Sequence, residues 1–278
     1  ECLTLHLNVL VVSDSLRKSF YLNNVTTGYR SKSKVSFSSK ALNASLYGGQ
    51  LTCLLGTNGV GKSTLIRTLA GFQKPLDGSI SLFGKPLDDF SPTELSHHLG
   101  VVLTDKVPAG GLTAFELVSM GRIPYTGFWG NLSSHDRKIV SDSIRKVGMQ
   151  GFEQRRLCNL SDGERQKLMI AKALAQQTDV ILLDEPIAFL DFPSKIELLQ
   201  LLRSLAHESG KSILLSTHDL DLALQAADCL WLLLNNGSLL QGTPHDLAKN
   251  GALDFFFSPL GIKFNRDNLQ YLFSQNNA

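Results

Sequence analysis

The sequence lacks a strong charge of either sign. Its 27 Lys and Arg residues against 25 Asp and Glu residues leave a formal net charge of +2. A balance this small does not indicate nucleic acid as a partner on electrostatic grounds. We therefore expect no nucleic-acid binding, and partners have to be inferred from local motifs.

Long apolar runs are also missing. The longest stretches, such as residues 229–234, are far shorter than the roughly 20 residues that a membrane-spanning helix needs. Residues 1–12 are apolar but have no basic segment and no small-residue cleavage site, so we do not interpret them as a signal peptide. We interpret residues 1–19 as an N-terminal strand or as an extension added by cloning.

Cysteine is scarce, and none of the four cysteines has the C-x-x-C spacing of metal or redox motifs. Two of them lie inside apolar, strand-like runs. We interpret Cys2, Cys53, Cys158 and Cys229 as buried thiols of a protein from a reducing compartment.

Short apolar runs that end in turn or polar residues are what the chain does contain. Three of them cover residues 51–55, 180–183 and 212–216. Runs of about five residues flanked by helical patterns are typical of buried parallel strands covered by helices. The sequence therefore predicts an α/β fold.

Two other features complete the expected architecture. Asp-Gly and Asn-Gly dipeptides between strand-like runs in residues 76–84 and 229–242 predict antiparallel hairpins. Helical spacing with Ser or Thr at the N-caps dominates from about residue 91 to residue 160. We therefore expect a mixed sheet core, an antiparallel β element, and a helical subdomain inserted at about 91–160.

A glycine-rich segment, GTNGVGKST from Gly56 to Thr64, follows the first predicted strand and opens a predicted helix. It matches G-x-x-x-x-G-K-[ST], in which backbone amides and a helix N-terminus surround phosphate oxygens. Lys62 is expected to reach the β- and γ-phosphates, and Ser63 to ligate Mg²⁺. The other residues assigned to nucleotide binding here are Gly56, Asn58, Gly59, Gly61 and Thr64. A chance glycine-rich turn is the alternative, but the flanking elements favour a P-loop NTPase core of RecA-like type with ATP and Mg²⁺ bound.

Two further strand ends carry polar residues. Asp184 and Glu185 follow the strand at 180–183, and His218 follows the strand at 212–216. We expect Asp184 to hold Mg²⁺, and Glu185 to polarise the attacking water. Taken alone, an Asp-Glu pair is often a solvated loop and a single His is often structural. Because ligands of open α/β sheets bind at the carboxyl ends of strands, these residues are expected to converge on the nucleotide with the glycine-rich loop.

The stretch LSDGE at residues 160–164 has two interpretations. Ser161 and Glu164 form the S-x-x-E pattern that caps a helix N-terminus. The same helix end, with Gly163 allowing close backbone approach, also suits binding of an anion. The sequence alone leaves both roles open.

The motifs GTNGVGKST, LSDGE, VILLDE, AFLD and STHD, in that order between Tyr29 and Leu247, resemble the ATPase subunits of ABC transporters. The resemblance implies an ATPase domain at about 20–250, with a C-terminal extension at 251–278. It also implies a homodimer in which two copies hold two ATP molecules head to tail. In that arrangement Ser161 and Gly163 close on the γ-phosphate bound to the other copy.

The same resemblance assigns three more roles. Tyr29 is implied to stack on adenine, although a Tyr at this position often only packs. Asp191 is implied to cross the dimer interface, and His218 is implied to contact the γ-phosphate.

Three positions depart from the family pattern. Asp162 replaces a glycine and Glu164 a glutamine, which places two carboxylates near a triphosphate unless both point away. Asp105 occupies the position of the glutamine that normally ligates Mg²⁺ and senses the membrane subunit. A carboxylate still binds Mg²⁺ but also repels the γ-phosphate.

The segment SMGRIPYTGFWG at residues 119–130 resembles a stretch of the ATPases that serve iron-siderophore, haem and cobalamin importers. The resemblance implies transmembrane permease subunits as partners, a substrate-binding protein as an indirect partner, and a peripheral position on the cytoplasmic face of the membrane. The alternative is a helix end and a Pro turn whose aromatic residues Tyr125, Phe128 and Trp129 simply pack.

Other classes fit less well. A DNA-repair ABC ATPase would carry a long coiled-coil insertion between Thr64 and Leu160, and this sequence has none there. A translation-factor ABC protein would have two glycine-rich phosphate-binding loops in one chain, and this sequence has one. A P-loop kinase would lack LSDGE. An ABC exporter whose membrane helices belong to separate chains is a remaining alternative.

Overall fold

A computed structural model describes residues 17–31, 34–37, 39, 41–104, 111–127, 130–257, 262–265 and 270–273. The strands are β1 (Lys18–Thr26), β2 (Gly28–Ser31), β3 (Lys34–Phe37), β4 (Leu42–Tyr47), β5 (Leu51–Leu55), β6 (Asp77–Leu82), β7 (Lys85–Pro86), β8 (Leu99–Val102), β9 (Val180–Leu183), β10 (Ser212–Thr217), β11 (Cys229–Leu233), β12 (Leu239–Gly242), β13 (Ile262–Asn265) and β14 (Gln270–Phe273). The α-helices are α1 (Lys62–Leu69), α2 (Pro92–His98), α3 (Ala114–Ser119), α4 (Ser134–Lys146), α5 (Asp162–Ala175), α6 (Phe192–Ser209), α7 (Leu220–Ala226), α8 (Pro244–Lys249) and α9 (Ala252–Phe257). Short 3₁₀ turns cover Leu87–Asp89, Met120–Tyr125 and Leu157–Asn159.

The centre of the molecule is a six-stranded sheet in the order β12-β11-β5-β10-β9-β8. Its strands are parallel except for β12, which pairs antiparallel with β11. Every residue of β5, β9 and β10 is buried, as expected for strands covered on both faces. The prediction of buried parallel strands is confirmed, and their carboxyl ends lie at one edge of the sheet.

A second, antiparallel sheet has the order β4-β1-β6-β7. Its apolar side chains, including Phe20 and Leu82, share a core with Leu65 of α1 and Trp231 of β11. The antiparallel element is therefore confirmed, and it covers one face of the central sheet together with α1.

The predicted hairpin turn at Asp77–Gly78 is wrong in position. Gly78 lies at the start of β6, where an added Cβ would meet the carbonyl oxygen of Asn24 at 2.3 Å. Glycine is therefore required there for the close approach of β1, which bulges between Asn23 and Thr26. The tight turn instead falls at Phe83 and Gly84, between β6 and β7.

The hairpin predicted at residues 229–242 is confirmed, because β11 and β12 pair antiparallel around Gly237, whose φ is +83°.

Helices α3, α4 and α5 pack on one another beside the central sheet. The predicted helical span of about 91–160 differs from this layer in two ways. Residues Leu99–Val102 form the edge strand β8 of the central sheet, because they pair in parallel with β9. Helix α5, which begins at Asp162, supplies the surface on which α3 and α4 pack.

The folded domain extends slightly beyond both ends of the ATPase domain predicted at about 20–250. Strand β1 begins at Lys18, inside the predicted N-terminal segment 1–19. At the other end, Ala252 and Leu253 of α9 are buried in the main core, so the predicted extension at 251–278 begins with residues that pack on the domain.

The cysteines do not share one environment. Burial raises the pKa of the Cys53 thiol well above its ordinary range and that of Cys229 to about 11. Cys158 is exposed, so its predicted burial is wrong. It lies in the 3₁₀ turn before α5, where an apolar pattern says little about exposure. Cys2 lies outside the described residues.

Candidate nucleotide-binding site

The glycine-rich loop joins β5 to α1 at the carboxyl edge of the central sheet. Gly59 and Gly61 adopt φ values of +79° and +111°, which side chains other than glycine rarely tolerate. An added Cβ on Gly56 would lie 2.6 Å from Cγ1 of Val60. No side chain among the described residues caps the N-terminus of α1. An uncapped helix N-terminus after a glycine-rich loop is suited to binding an anion.

Lys62 is the buried cation of this loop, with 7% of its surface exposed. Its Nζ donates to the carbonyl oxygens of Gly56 at 2.9 Å and Thr57 at 3.4 Å. Oε1 of Glu185 lies 3.7 Å from the same nitrogen. Lys62 thus faces the strand ends that carry the predicted catalytic residues.

Asp184 follows β9 and is only 2% exposed. Its Oδ1 accepts a hydrogen bond from the Ser216 hydroxyl at 2.7 Å, and its Oδ2 accepts one from the Thr104 hydroxyl at 3.0 Å. Ser216 lies near the end of the neighbouring strand β10, and Thr104 follows β8. Neither residue was predicted from the sequence to belong to the site, although Ser216 lies in the STHD motif. A hydroxyl at the end of a parallel strand was the available signal.

Glu185 is held in an uncommon backbone conformation, with φ of +51°. Its amide donates to the Ser216 hydroxyl oxygen at 2.9 Å. Its Oε2 lies 2.8 Å from Nδ1 of His218. Lys62, Glu185 and His218 therefore form one chain of contacts, as predicted from their positions at three strand ends.

The aromatic Tyr29 lies in β2 beside this group. The residue is 55% exposed, and its hydroxyl accepts a 3.4 Å hydrogen bond from the Thr64 hydroxyl. An exposed ring next to the glycine-rich loop is compatible with stacking on a base, and it is not buried as the packing alternative would require.

Ser161 begins α5 with a reciprocal cap. Its amide and hydroxyl donate to Oε2 of Glu164 at 2.7 and 2.9 Å, and the Glu164 amide donates to the Ser161 hydroxyl oxygen at 3.2 Å. The hydrogen bond from the Ser161 amide lowers the pKa of Glu164. Asp162 forms an ion pair with Arg165 one turn along the helix. Both unusual carboxylates thus have cationic or N–H partners within their own helix.

Gly163 has a packing role that the sequence did not reveal. A Cβ there would lie 3.1 Å from the carbonyl oxygen of Phe189, so glycine lets α5 approach the turn before α6. In that turn Asp191 caps α6 by accepting from the Ser194 amide at 3.1 Å. Hydrogen bonds from Ser194 lower the pKa of Asp191.

Within the described part of the chain, no hydrogen bond or ion pair joins Ser161 or Asp191 to Lys62, Glu185 or His218. Asp105 lies outside the described residues.

The donor set fits Mg²⁺. Asp184 supplies a buried carboxylate, and Ser63 an exposed hydroxyl at the start of α1. No group of three or more His, Cys, Asp or Glu residues in the described ranges has metal-binding geometry. Mg²⁺ suits such a sparse set, because it keeps several waters and takes further ligands from substrate phosphates.

The stretch 119–130 combines a buried arginine with an exposed aromatic residue. Arg122 is 3% exposed. It donates to Oδ1 of Asp136 at 2.9 Å, to the carbonyl oxygen of Ala175 at 2.7 Å and to Oε1 of Gln177 at 3.0 Å. Tyr125 is 41% exposed. The arginine therefore ties the 3₁₀ turn to α4 and α5. Phe128 and Trp129 lie outside the described residues.

None of the helices in the described ranges is both long and apolar enough to span a membrane.

Comparison with known proteins gives the family. The profile described as "ABC transporter" matches residues 39–188, more than half of the chain. An uncharacterized ABC transporter ATP-binding protein of Methanocaldococcus jannaschii is 41% identical over 226 residues, which cover 81% of this chain and 77% of that protein. An iron(3+)-hydroxamate import ATP-binding protein of Bacillus subtilis is 36% identical over 202 residues, covering 73% and 75%.

A solved dimeric structure of a bacterial ABC transporter cassette superposes with a TM-score of 0.72 at 26% identity, covering 81% of this chain and 98% of that one. The predicted fold class is therefore confirmed. Together with the loop, the strand ends and the order of the motifs, these matches show that the chain belongs to the ABC transporter family and is one of its ATP-binding subunits, an ATPase.

Proposed function

We propose that this ATPase powers the import of an iron-siderophore, haem or similar metal chelate through separate transmembrane permease subunits. The observation that carries the proposal is the 36% identity to an iron(3+)-hydroxamate import ATP-binding protein over 73% of this chain. The stretch 119–130, which resembles the same group, supports it. In this proposal the chain is a peripheral protein on the cytoplasmic face of the membrane.

The permease docks on the helical layer. Ile123 and Tyr125, in the 3₁₀ turn after α3, expose 64% and 41% of their surfaces, and Phe72, after α1, exposes 62%. Exposed apolar side chains of this kind suit a protein interface. The buried contacts of Arg122 keep the turn fixed on α5, so a movement of α5 is carried to the docking surface.

ATP is bound between two copies of the chain. Lys62 and the loop amides of one copy hold the phosphates, and Tyr29 stacks on the base. Ser161 and the α5 N-terminus of the second copy close on the γ-phosphate, and Asp191 follows across the interface. Ser63 and Asp184, with Asp105 as a further ligand, would hold Mg²⁺, which would neutralise phosphate charge.

Hydrolysis depends on the pair at the carboxyl edge. Glu185 accepts a hydrogen bond from the attacking water and takes its proton as a general base, while the water oxygen bonds to the γ-phosphorus and the bond to the ADP oxygen breaks. His218 fixes the carboxylate through the Nδ1 contact and contacts the γ-phosphate. Loss of the γ-phosphate removes the link between the copies, so the dimer reopens and the permease changes state. A substrate-binding protein delivers the chelate on the other side of the membrane.

The decisive experiment is reconstitution with the copurified permease in proteoliposomes. Uptake and ATP turnover are measured with ferric hydroxamate, haem and cobalamin, each with its binding protein. We expect one chelate to raise turnover and to accumulate inside. The matched control is the Glu185→Gln variant, which should bind ATP and accumulate nothing. Normal assembly with the permease but no response to any metal chelate would contradict the assignment to metal-chelate import.

A further inference from the structure

The hairpin of β11 and β12 contacts the glycine-rich loop from outside the catalytic group. The Thr57 hydroxyl donates to Oδ1 of Asn235 in the hairpin turn at 2.6 Å. Beside this bond, a Cβ on Gly56 would lie 3.0 Å from the carbonyl oxygen of Leu233. Two consecutive residues of the loop thus lie against two positions of the hairpin.

The backbone of the turn that carries Asn235 is held by hydrogen bonds. The Leu234 amide donates to the carbonyl oxygen of Ser238, and the Gly237 amide to that of Leu234, both at 2.9 Å. Below the turn, Gln241 of β12 bonds to both the amide and the carbonyl of Ser45 in β4, at 2.9 and 2.7 Å. The hairpin is therefore fixed to both sheets, and its turn presents the exposed Asn235 side chain to the loop.

The loop end of this bond leads to Lys62. The carbonyl oxygens of Gly56 and Thr57 are the acceptors of the Lys62 ammonium. A contact that fixes Thr57 therefore also fixes the carbonyl oxygens to which the Lys62 ammonium donates. A loop that is ordered before its ligand arrives does not lose that freedom on binding, and its affinity is higher for that reason.

We propose that Asn235 is a positioning residue of the nucleotide site, which acts through the Thr57 hydroxyl to hold the glycine-rich loop in its phosphate-binding form. It touches neither the phosphates nor the attacking water. Its loss should therefore weaken ATP and ADP alike, because both present a β-phosphate to the loop, and should leave the chemical step at saturating ATP unchanged. The inference rests on nucleotide binding at this loop and not on the transported substrate.

The test compares Asn235→Ala, Thr57→Val, Thr57→Ser and the double variant Asn235→Ala with Thr57→Val. The dissociation constant of Mg·ADP is measured by calorimetry, and KM and kcat for Mg·ATP by steady-state turnover. We expect Asn235→Ala to raise the Kd of ADP and the KM of ATP together by about 3- to 10-fold, the range of one net hydrogen bond, with kcat within about 2-fold of wild type. Thr57→Ser, which keeps the hydroxyl, should bind as wild type does, and Thr57→Val should match Asn235→Ala.

The double variant should be no weaker than either single variant, because both remove the same bond. Asn43→Ala is the matched control, since Asn43 is an exposed asparagine bonded to Asn24 in the antiparallel sheet. It should leave ADP binding unchanged. Each of four results would overturn the proposal. They are wild-type affinity in both Asn235→Ala and Thr57→Val, multiplied effects in the double variant, an equal loss of affinity in Asn43→Ala, and a fall in kcat with unchanged affinity. If Asn235→Ala does not fold, the Thr57 pair decides it alone.

Discussion

Nδ1 of His218 lies 2.8 Å from Oε2 of Glu185, and the other carboxylate oxygen of Glu185 lies 3.7 Å from Nζ of Lys62. The glutamate therefore has a partner on each side and is only 16% exposed. This places a fixed carboxylate beside Lys62, the lysine that we propose binds the phosphates.

Replacing Glu185 with Gln should slow ATP hydrolysis by about 100-fold or more while ATP-dependent dimerisation is retained. The amide keeps the size of the side chain and loses the basic oxygen. Single-turnover phosphate release measures the rate, and light scattering with ATP measures the dimer. Glu94→Gln, in the capping box of α2, is the control and should turn over normally. Undiminished hydrolysis in Glu185→Gln would remove this residue from the catalytic role.

Replacing Lys62 with Ala should weaken nucleotide binding by at least about 100-fold, because the charged donor that we propose contacts the phosphate oxygens is lost. A fluorescent nucleotide titration measures the change. Lys74→Ala is the control, since Lys74 is 81% exposed and pairs with the exposed Asp88. An unchanged titration in the Lys62 variant would refute the assignment of the loop to phosphate binding.

Much of this site follows from local sequence patterns. The glycine-rich loop and the polar residues after β9 and β10 are predictable, because a parallel strand and its first following residues occupy a few consecutive positions. Their convergence follows from the rule that parallel strands end at one edge. What the pattern does not contain is the pairing order. Thr104 and Ser216 bond to Asp184 only because β8 and β10 flank β9.

The errors have the same origin. The turn at Phe83 and Gly84 was missed because Phe rarely adopts a positive φ. There its amide donates to the carbonyl oxygen of Ser19 at 2.7 Å, and Arg17 lies over its ring. Long-range contacts thus stabilise a conformation that local preference disfavours. The burial of Arg122 likewise depends on acceptors from α4 and the end of α5, distant in sequence.

The ion pair between Arg122 and Asp136 should control the stability of the helical layer at low pH. Hydrogen bonds from the Ser133 hydroxyl and then from the Arg122 guanidinium lower the pKa of Asp136 from 3.8 to about 2. A carboxyl with a lowered pKa stabilises the fold fully above about pH 4, and the contribution is lost as the pH falls toward 2. Asp136→Asn leaves Arg122 buried without its anion and should cost about 3–5 kcal/mol at pH 7.

Urea unfolding between pH 7 and pH 2.5 checks this expectation. The loss of stability below pH 4 should be smaller in Asp136→Asn than in wild type. Asp142→Asn is the control, because Asp142 pairs with Arg145 on the surface, and it should change the stability by less than about 0.5 kcal/mol. Equal effects of the two substitutions on the free energy of unfolding at pH 7 would show that the buried pair contributes no more to stability than the surface pair.

The most direct test of the account is whether Ser161 of one copy meets Lys62 of another. A short photoreactive group is attached at Ser161→Cys in the Glu185→Gln background, with Cys2 and Cys158 replaced by Ser, and ¹⁵N-labelled and unlabelled chains are mixed. We predict ATP-dependent crosslinks from residue 161 to the 56–64 segment that join labelled to unlabelled chains. Crosslinks that stay within one chain, or none to that segment when ATP is bound, would contradict the two-copy site.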